Sequence, residues 1–265
     1  MTAARRSRVL DLFAGPGGWS EGLRALGLRD MGIEIDPAVC ATRAAAGHTT
    51  IRADVAAYPT APLRGKVSGL IASPPCQTFS AAGLRAGNDD LPLCHQGLDD
   101  IARGSDTRAA LRTACTDPRS LLVVEPLRYA LDLRPDWIAL EEVPAVLPLF
   151  EHTAHLLAAV GYSTWTGVLN AADFGLAQTR RRLDQPAPTL LFGKALNDVS
   201  WIDADGTPIR RLDVTEAAAL QGFPASYPWT GSRTKQFEQI GNAVPPPLAT
   251  ALVRPLVPAA LEVAA

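Results

Sequence analysis

The side chain with the most chemical potential is Cys76, in the stretch SPPCQTFS (Ser73–Ser80). The two prolines before it fix φ and remove two backbone donors, so the thiol is presented from a stiff turn. A cysteine becomes a nucleophile when its thiolate is favoured or when a neighbour activates the electrophile. Taken alone the stretch settles little, because a cysteine in an α/β core is more often an inert apolar filler. Partners for it stand elsewhere in the chain. ALEEVPAV sets Glu141 and Glu142 before a proline turn. Two adjacent carboxylates usually mark a solvated loop, but one at a strand end near a cysteine suits a general acid. QTRRR offers Gln178, Arg180 and Arg182 on one face of an extended segment, fit for solvent or for an anionic or carbonyl-bearing ligand.

A second group suits a nucleoside. DLFAGPGGWSEGL puts Gly15, Gly17 and Gly18 between a strand-like run and a helix-like one, where glycine permits positive φ and close approach of a ligand. The dinucleotide fingerprint G-x-G-x-x-G is not met, since Ser20 holds its last glycine position. Glu34 in GIEIDP ends the next strand, where a carboxylate can accept both hydroxyls of a ribose. Asp54 in IRADV ends the third, where it can accept an adenine amino group, and Phe13 can stack on the base. There is no G-K-[ST] phosphate cradle, so the set points to an adenosine-containing cofactor. QIGNAVPPP carries a Gly-Asn at a turn before the last helix, which by itself reads as helix entry.

Composition sets the outer limits. The 265 residues suffice for one large domain, or one large and one small, and no apolar run is long enough to span a bilayer. The amino terminus runs straight into a strand without a signal-peptide core, which predicts a cytoplasmic protein. The four cysteines form no C-x-x-C pair and have no histidine at metal spacing, which argues for reduced thiols and against zinc. A net charge of −2 leaves any nucleic-acid contact to local clusters such as Arg180–Arg182.

These residues need a scaffold, and the first half supplies one. Strand-like runs at 8–13, 30–35, 49–51, 69–73, 137–141 and 162–169 alternate with helix-like stretches at 19–26, 37–46, 117–131 and 145–160. The alternation predicts a doubly wound, mostly parallel α/β sheet with helices on both faces and ligands at the strands' carboxyl ends. The polar stretch 83–113 reads as a mobile loop with a partial helix. Proline and glycine dominate from about Arg181, before a helix-like VTEAAALQGF and a final helix at 245–257.

Taken together, the ordered strings DLFAGPGG, GIEID, ADV, SPPCQTFS, LEEVP, QTRRR, EAAALQGFP and QIGNAVPPP resemble the DNA (cytosine-5)-methyltransferase family, from residue 9 to about 255. The resemblance implies a Rossmann-like, S-adenosylmethionine-dependent fold and a base flipped out of double-stranded DNA. It makes Cys76 the nucleophile that adds to carbon 6 of cytosine, Glu141 the group at ring nitrogen 3, and Arg180 the holder of base and intermediate. Phe13, Gly15, Gly17, Glu34, Asp54, Pro74 and Asn242 fall where the family binds S-adenosylmethionine. Glu142 stands where the family often has asparagine.

The chain departs from the family after Arg182. The region that normally reads the target sequence is reduced to 28 residues, Leu183–Arg210. The expected division is a catalytic domain of 1–180 plus 239–265 and a small truncated recognition domain at 181–238. Three readings stay open: an active enzyme of relaxed specificity, a catalytic domain dependent on a partner subunit, and a non-catalytic derivative of the fold. An RNA substrate and an accompanying restriction endonuclease are further readings of the same resemblance.

Overall fold

The computed structural model describes residues 8–79, 86–174, 176, 200–202 and 208–257. Five parallel strands form the main sheet: β1 (Val9–Leu12), β2 (Asp30–Glu34), β3 (Thr49–Arg52), β4 (Gly69–Ala72) and β5 (Trp137–Leu140). Their order is β3-β2-β1-β4-β5. The chain winds outward from β1 to β3, returns to the other side of β1, and continues to β5. The direction of winding therefore reverses between β1 and β4, the position at which open α/β sheets bind ligands beyond the carboxyl ends of their strands. β1 and β4 are buried throughout, as expected of central parallel strands. A two-stranded antiparallel ribbon, β6 (Ser200–Ile202) and β7 (Pro208–Arg211), stands apart.

The chain divides into two compact units. One holds β1, β4 and β5 with α3 (Ala86–Ala102), α4 (Arg108–Ala114), α5 (Glu125–Leu133) and α6 (Leu147–Ala159). In it α3 packs on α5 and α6. Leu98, Val124, Leu127, Tyr129 and Leu149 make a closed apolar interior. The other holds α1 (Gly18–Arg24), β2, α2 (Pro37–Ala45), β3, α7 (Val214–Leu220), α8 (Arg233–Asn242) and α9 (Pro246–Val253). Here α1 lies on α9 so closely that a Cβ at Gly22 would come within 2.6 Å of Ala249. Ala217, Phe223, Tyr227, Phe237 and Ile240 belong to its apolar cluster, with the Phe223, Tyr227 and Trp229 rings 4.8–5.0 Å apart. Asp213 starts α7 with a capping box, its side chain accepting from Glu216 N–H while Glu216 reaches back.

Three expectations are corrected. The stretch 83–113 carries two helices, α3 of 17 residues and α4. Residues 162–169 form no strand, although they are rich in strand formers. Trp165 is 71% exposed there, and β5 ends the sheet without a neighbour beyond it among the described residues. Strand propensity measures fit to a half-buried pleated surface, and without one it decides nothing. Gly241 and Asn242 close helix α8 and are not a free turn.

Candidate active site

In the first unit, the two groups proposed for chemistry leave neighbouring strands at the same end. Ala72 of β4 faces Leu140 of β5, and Glu141 N–H donates to Ala72 O at 3.0 Å. Ser73 N–H in turn donates to Leu12 O of β1 at 3.3 Å. Pro74 and Pro75 follow, Pro75 being extended (φ −61°, ψ 117°), and hand over to one tight turn, Cys76–Thr78. Phe79 N–H closes that turn on Cys76 O at 3.0 Å. Phe79 is buried, and a Cβ on Gly87 of α3 would come within 2.6 Å of its ring. The half-buried Cys76 is therefore held from before by two prolines and from behind by an anchored ring.

The adjacent carboxylates separate by environment. Glu142 is 7% exposed and its carboxylate accepts Val143 N–H, the next residue of the chain. Glu141 is half-buried at the end of β5. Neither belongs to the solvated loop that adjacent acids usually indicate.

The other thiols fit the inert description. Burial pushes Cys94 up to about 12 and Cys115 up to about 11, with the negative charge of Asp90 adding to both. Burial and then the Glu34 charge also raise Cys40, whose Sγ lies 3.6 Å from Glu34 O. A thiol at about 12 is ionised to only about one part in ten thousand at pH 8. Brief alkylation of the native protein at pH 8 is therefore expected to modify Cys76 and to spare Cys94 and Cys115 until the chain is unfolded. Peptide mass mapping that finds Cys94 modified before Cys76 contradicts this ordering.

Phe13, directly after β1, has φ 58°, the left-handed region that a residue with a bulky side chain rarely adopts. Such backbone strain costs about 1–3 kcal/mol and gathers at functional sites. Asp54 stands two residues beyond the end of β3. Its Oδ1 accepts Ala56 N–H at 2.9 Å, and its carbonyl accepts from Ala57 and Tyr58 at 3.1 and 2.8 Å.

In the second unit, Gly15 (φ 53°) and Gly17 (φ 112°) make the turn before α1. Gly15 N–H donates to Glu34 Oε2 at 3.0 Å, while Glu34 Oε1 accepts from Ile35 and Asp36, each at 2.8 Å. The strand-end carboxylate thus ties the glycine turn to the start of α2. Behind the turn, Tyr227 Oη donates to Pro16 O, and a Cβ on Gly18 would come within 1.9 Å of Val244 O. Asn242 lies two residues before that carbonyl, exposed at the end of α8. The sequence reading missed Arg43. Fully buried, it donates to Ala14 O at 3.1 Å, Asp30 Oδ2 at 2.8 Å and Thr50 Oγ1 at 2.8 Å, bracing the turn from below. An arginine in an amphipathic helix gives no sign of burial in the sequence.

Arg180, with Gln178 and Arg182, lies outside the described residues. No described helix is long and apolar enough to cross a membrane.

Known proteins resemble this arrangement throughout. The model of the C-5 cytosine-specific DNA methylases matches residues 7–92, 107–184 and 191–257. Type II methyltransferase M.AplI of Arthrospira platensis is 29% identical, covering 93% of this chain and 84% of its own. Type II methyltransferase M.NgoMIV of Neisseria gonorrhoeae is 26% identical over 94% of this chain and 97% of its own. The crystal structure of a putative DNA modification methyltransferase encoded within an E. coli prophage shares the fold, with TM-score 0.64, 18% identity and coverage of 94% and 98%. The alignment with M.AplI runs over 308 positions against 265 residues here, so that relative carries residues this chain lacks. The family match is interrupted between 184 and 191, directly after QTRRR, where the target-recognition region is shortened. With Rossmann-like topology, ordered motifs and a family match over most of its length, the chain belongs to the C-5 cytosine-specific DNA methylases, enzymes that methylate cytosine in DNA.

Proposed function

We propose that this chain uses Cys76 as the nucleophile and Glu141 as the acid in methylating carbon 5 of a cytosine flipped out of duplex DNA. The observation that carries this is the pairing of β4 and β5, which delivers the Cys76 turn and Glu141 at one end of two neighbouring parallel strands. The Cys76 sulfur forms a bond to carbon 6 while Glu141 donates to ring nitrogen 3 and accommodates the electron pair pushed into the ring. Carbon 5, now electron-rich, takes a methyl group. Loss of the carbon 5 proton to a base and breaking of the carbon 6–sulfur bond then restore the ring and the free thiolate. Arg180 is assigned to holding the base and the adduct.

S-adenosylmethionine is the cofactor this reading implies, and it supplies an electrophilic methyl group. The residues suit it. Gly15 turns at positive φ beside the Glu34 carboxylate, Gly17 makes room for Tyr227, whose hydroxyl a Cβ there would approach to 2.6 Å, and Glu34 and Asp54 present carboxylates. A carboxylate offers about four lone-pair positions, and three of those on Glu34 already accept backbone N–H groups. Glu34 is therefore assigned to one direct ribose hydroxyl contact, narrower than the two that the sequence suggests. Asp54, with Oδ1 committed to Ala56, is assigned to the adenine amino group through Oδ2. Phe13 stacks on the adenine, with Pro74 and Asn242 completing the contacts. Phe13→Gly removes the ring and the backbone strain together. It is expected to weaken cofactor binding about tenfold while leaving stability unchanged or improved. Calorimetric titration with S-adenosylmethionine beside thermal melting checks both signs, and unchanged affinity contradicts the stacking role.

Residues 181–238 are assigned to target recognition, reduced to a short site or supplemented by a partner subunit. The Type II names of the relatives support a setting beside a restriction endonuclease, in the cytoplasm where bacterial DNA lies. Methyl-tritiated S-adenosylmethionine, offered with duplex DNA and with RNA of mixed sequence, tests the substrate. Label entering DNA at cytosine supports the reading. Label entering RNA alone, or neither polymer despite cofactor binding, counts against it.

A further inference from the structure

The loop after Asp54 is held by donors that reach it from two helices and from no residue that the reaction uses. Arg128 Nη2 donates to Val55 O at 2.8 Å, and Tyr129 Oη donates to the same oxygen at 2.9 Å. Arg108 Nη1 donates to Ala56 O at 3.1 Å. Arg128 Nη1 and Tyr129 Oη both reach Tyr58 O, at 3.4 Å. Three backbone carbonyls of one short loop, those of Val55, Ala56 and Tyr58, are thus gathered by three side chains.

These side chains are themselves fixed. Glu125 is 3% exposed and divides its carboxylate between them, Oε1 accepting Arg108 Nη1 at 2.7 Å and Oε2 accepting Arg128 Nε at 2.6 Å. Arg108 is also gripped by Asp106 through two 2.8 Å bonds, which hold the Asp106 carboxyl below the usual range. Burial raises Tyr129 to about 12, so its hydroxyl remains a donor at every working pH. A buried charge divided between two guanidinium groups fixes direction as well as position, because each fork is held at both ends.

We propose that Arg108, Arg128 and Tyr129, set by Glu125, are positioning residues that strap the 55–58 loop and thereby fix the Asp54 carboxylate for the adenine of the cofactor. The inference rests on the reading of Asp54 given above. The strap acts on the turn whose N–H groups Asp54 itself gathers, so slack at Val55 or Ala56 moves the carboxylate directly. Its consequence is affinity for S-adenosylmethionine, with DNA binding untouched.

The test uses the full chain and direct titration with S-adenosylmethionine. Tyr129→Phe keeps the buried ring and removes only the donor, so it is expected to fold and to raise the cofactor Kd about threefold; Arg128→Met should raise it about tenfold. The KM for DNA should stay within about twofold of the parent in both. A purely structural role would lower the melting temperature and leave the cofactor Kd alone. The decisive comparison is a double-mutant cycle with Asp54→Ala. If the strap works through Asp54, Arg128→Met adds little to the Kd once Asp54 is gone. Additive effects, or an unchanged Kd in both Tyr129→Phe and Arg128→Met, overturn the proposal. An Asp54→Ala variant that binds the cofactor normally overturns instead the adenine reading on which it rests.

Discussion

Cys76→Ala is expected to lower methyl transfer by on the order of 10³-fold or more while leaving the fold and cofactor affinity close to the parent's. The side chain lost is small and half-buried, and the turn that carries it is fixed by Pro74, Pro75 and the ring of Phe79, none of which needs the sulfur. Thermal melting and titration with S-adenosylmethionine should therefore move little as turnover disappears. Glu141→Gln should cost about 10²–10⁴-fold, because the amide keeps the shape but has no proton to give ring nitrogen 3 at low cost. Activity of Cys76→Ala within tenfold of the parent would remove the covalent step from the account. An equal loss of stability would make the residue structural.

The largest effect on stability is expected away from the chemistry. Arg43 and Asp30 form a salt bridge at 2.8 Å with side chains 0% and 3% exposed, and Ser20 adds a bond to the same carboxylate oxygen at 2.9 Å. Arg43→Met leaves the Asp30 charge buried without its guanidinium, which costs about 3–5 kcal/mol when one partner of such a pair is removed. The double variant Arg43→Met, Asp30→Leu should recover part of that loss, since replacing both charges with apolar groups avoids the stranded carboxylate. Urea unfolding gives both values through the midpoint and slope. Because Arg43 also holds Ala14 O, the surviving folded Arg43→Met protein should bind S-adenosylmethionine more weakly. A loss below about 1 kcal/mol would mean that the site relaxes or admits water around the charge.

Much of the scaffold was legible because its signals are local. β1, β4 and β5 are short, mostly apolar runs and β2 and β3 more polar ones, and the structure places each within a residue or two of where the sequence does. The positions of Cys76, Glu141, Glu34 and the glycine turn follow, since each sits at a strand's carboxyl end. Elements that depend on distant packing were not legible. In α3, Pro92 and Gly97 disguise a stripe of Asp90, Cys94 and Leu98 that is buried in the structure. Asp90 reads as polar surface, yet its carboxylate accepts Thr116 and Asp117 N–H at 2.7 and 3.1 Å and so earns its burial. Residues 162–169 show the reverse error, strand formers with no strand to join. Arg43, Arg108 and Arg128 carry no mark in the sequence, because nothing there says which guanidinium will find a buried carboxylate. The motifs at the strand ends are thus visible from the chain itself, and the side chains that brace them are not.

The proposed reaction turns on a covalent bond between Cys76 and carbon 6 of the target cytosine. Duplex DNA carrying 5-fluorocytosine at its cytosine positions tests it directly, because fluorine cannot leave carbon 5 as a proton does and the adduct is stranded after methyl transfer. With S-adenosylmethionine present, denaturing electrophoresis should show a stable protein–DNA complex, and mass mapping should place the linkage on the Cys76 peptide. The complex should be absent with Cys76→Ala. Methylation of ordinary DNA by the same preparation with no trapped complex, or a linkage on Cys40, Cys94 or Cys115, would contradict the account.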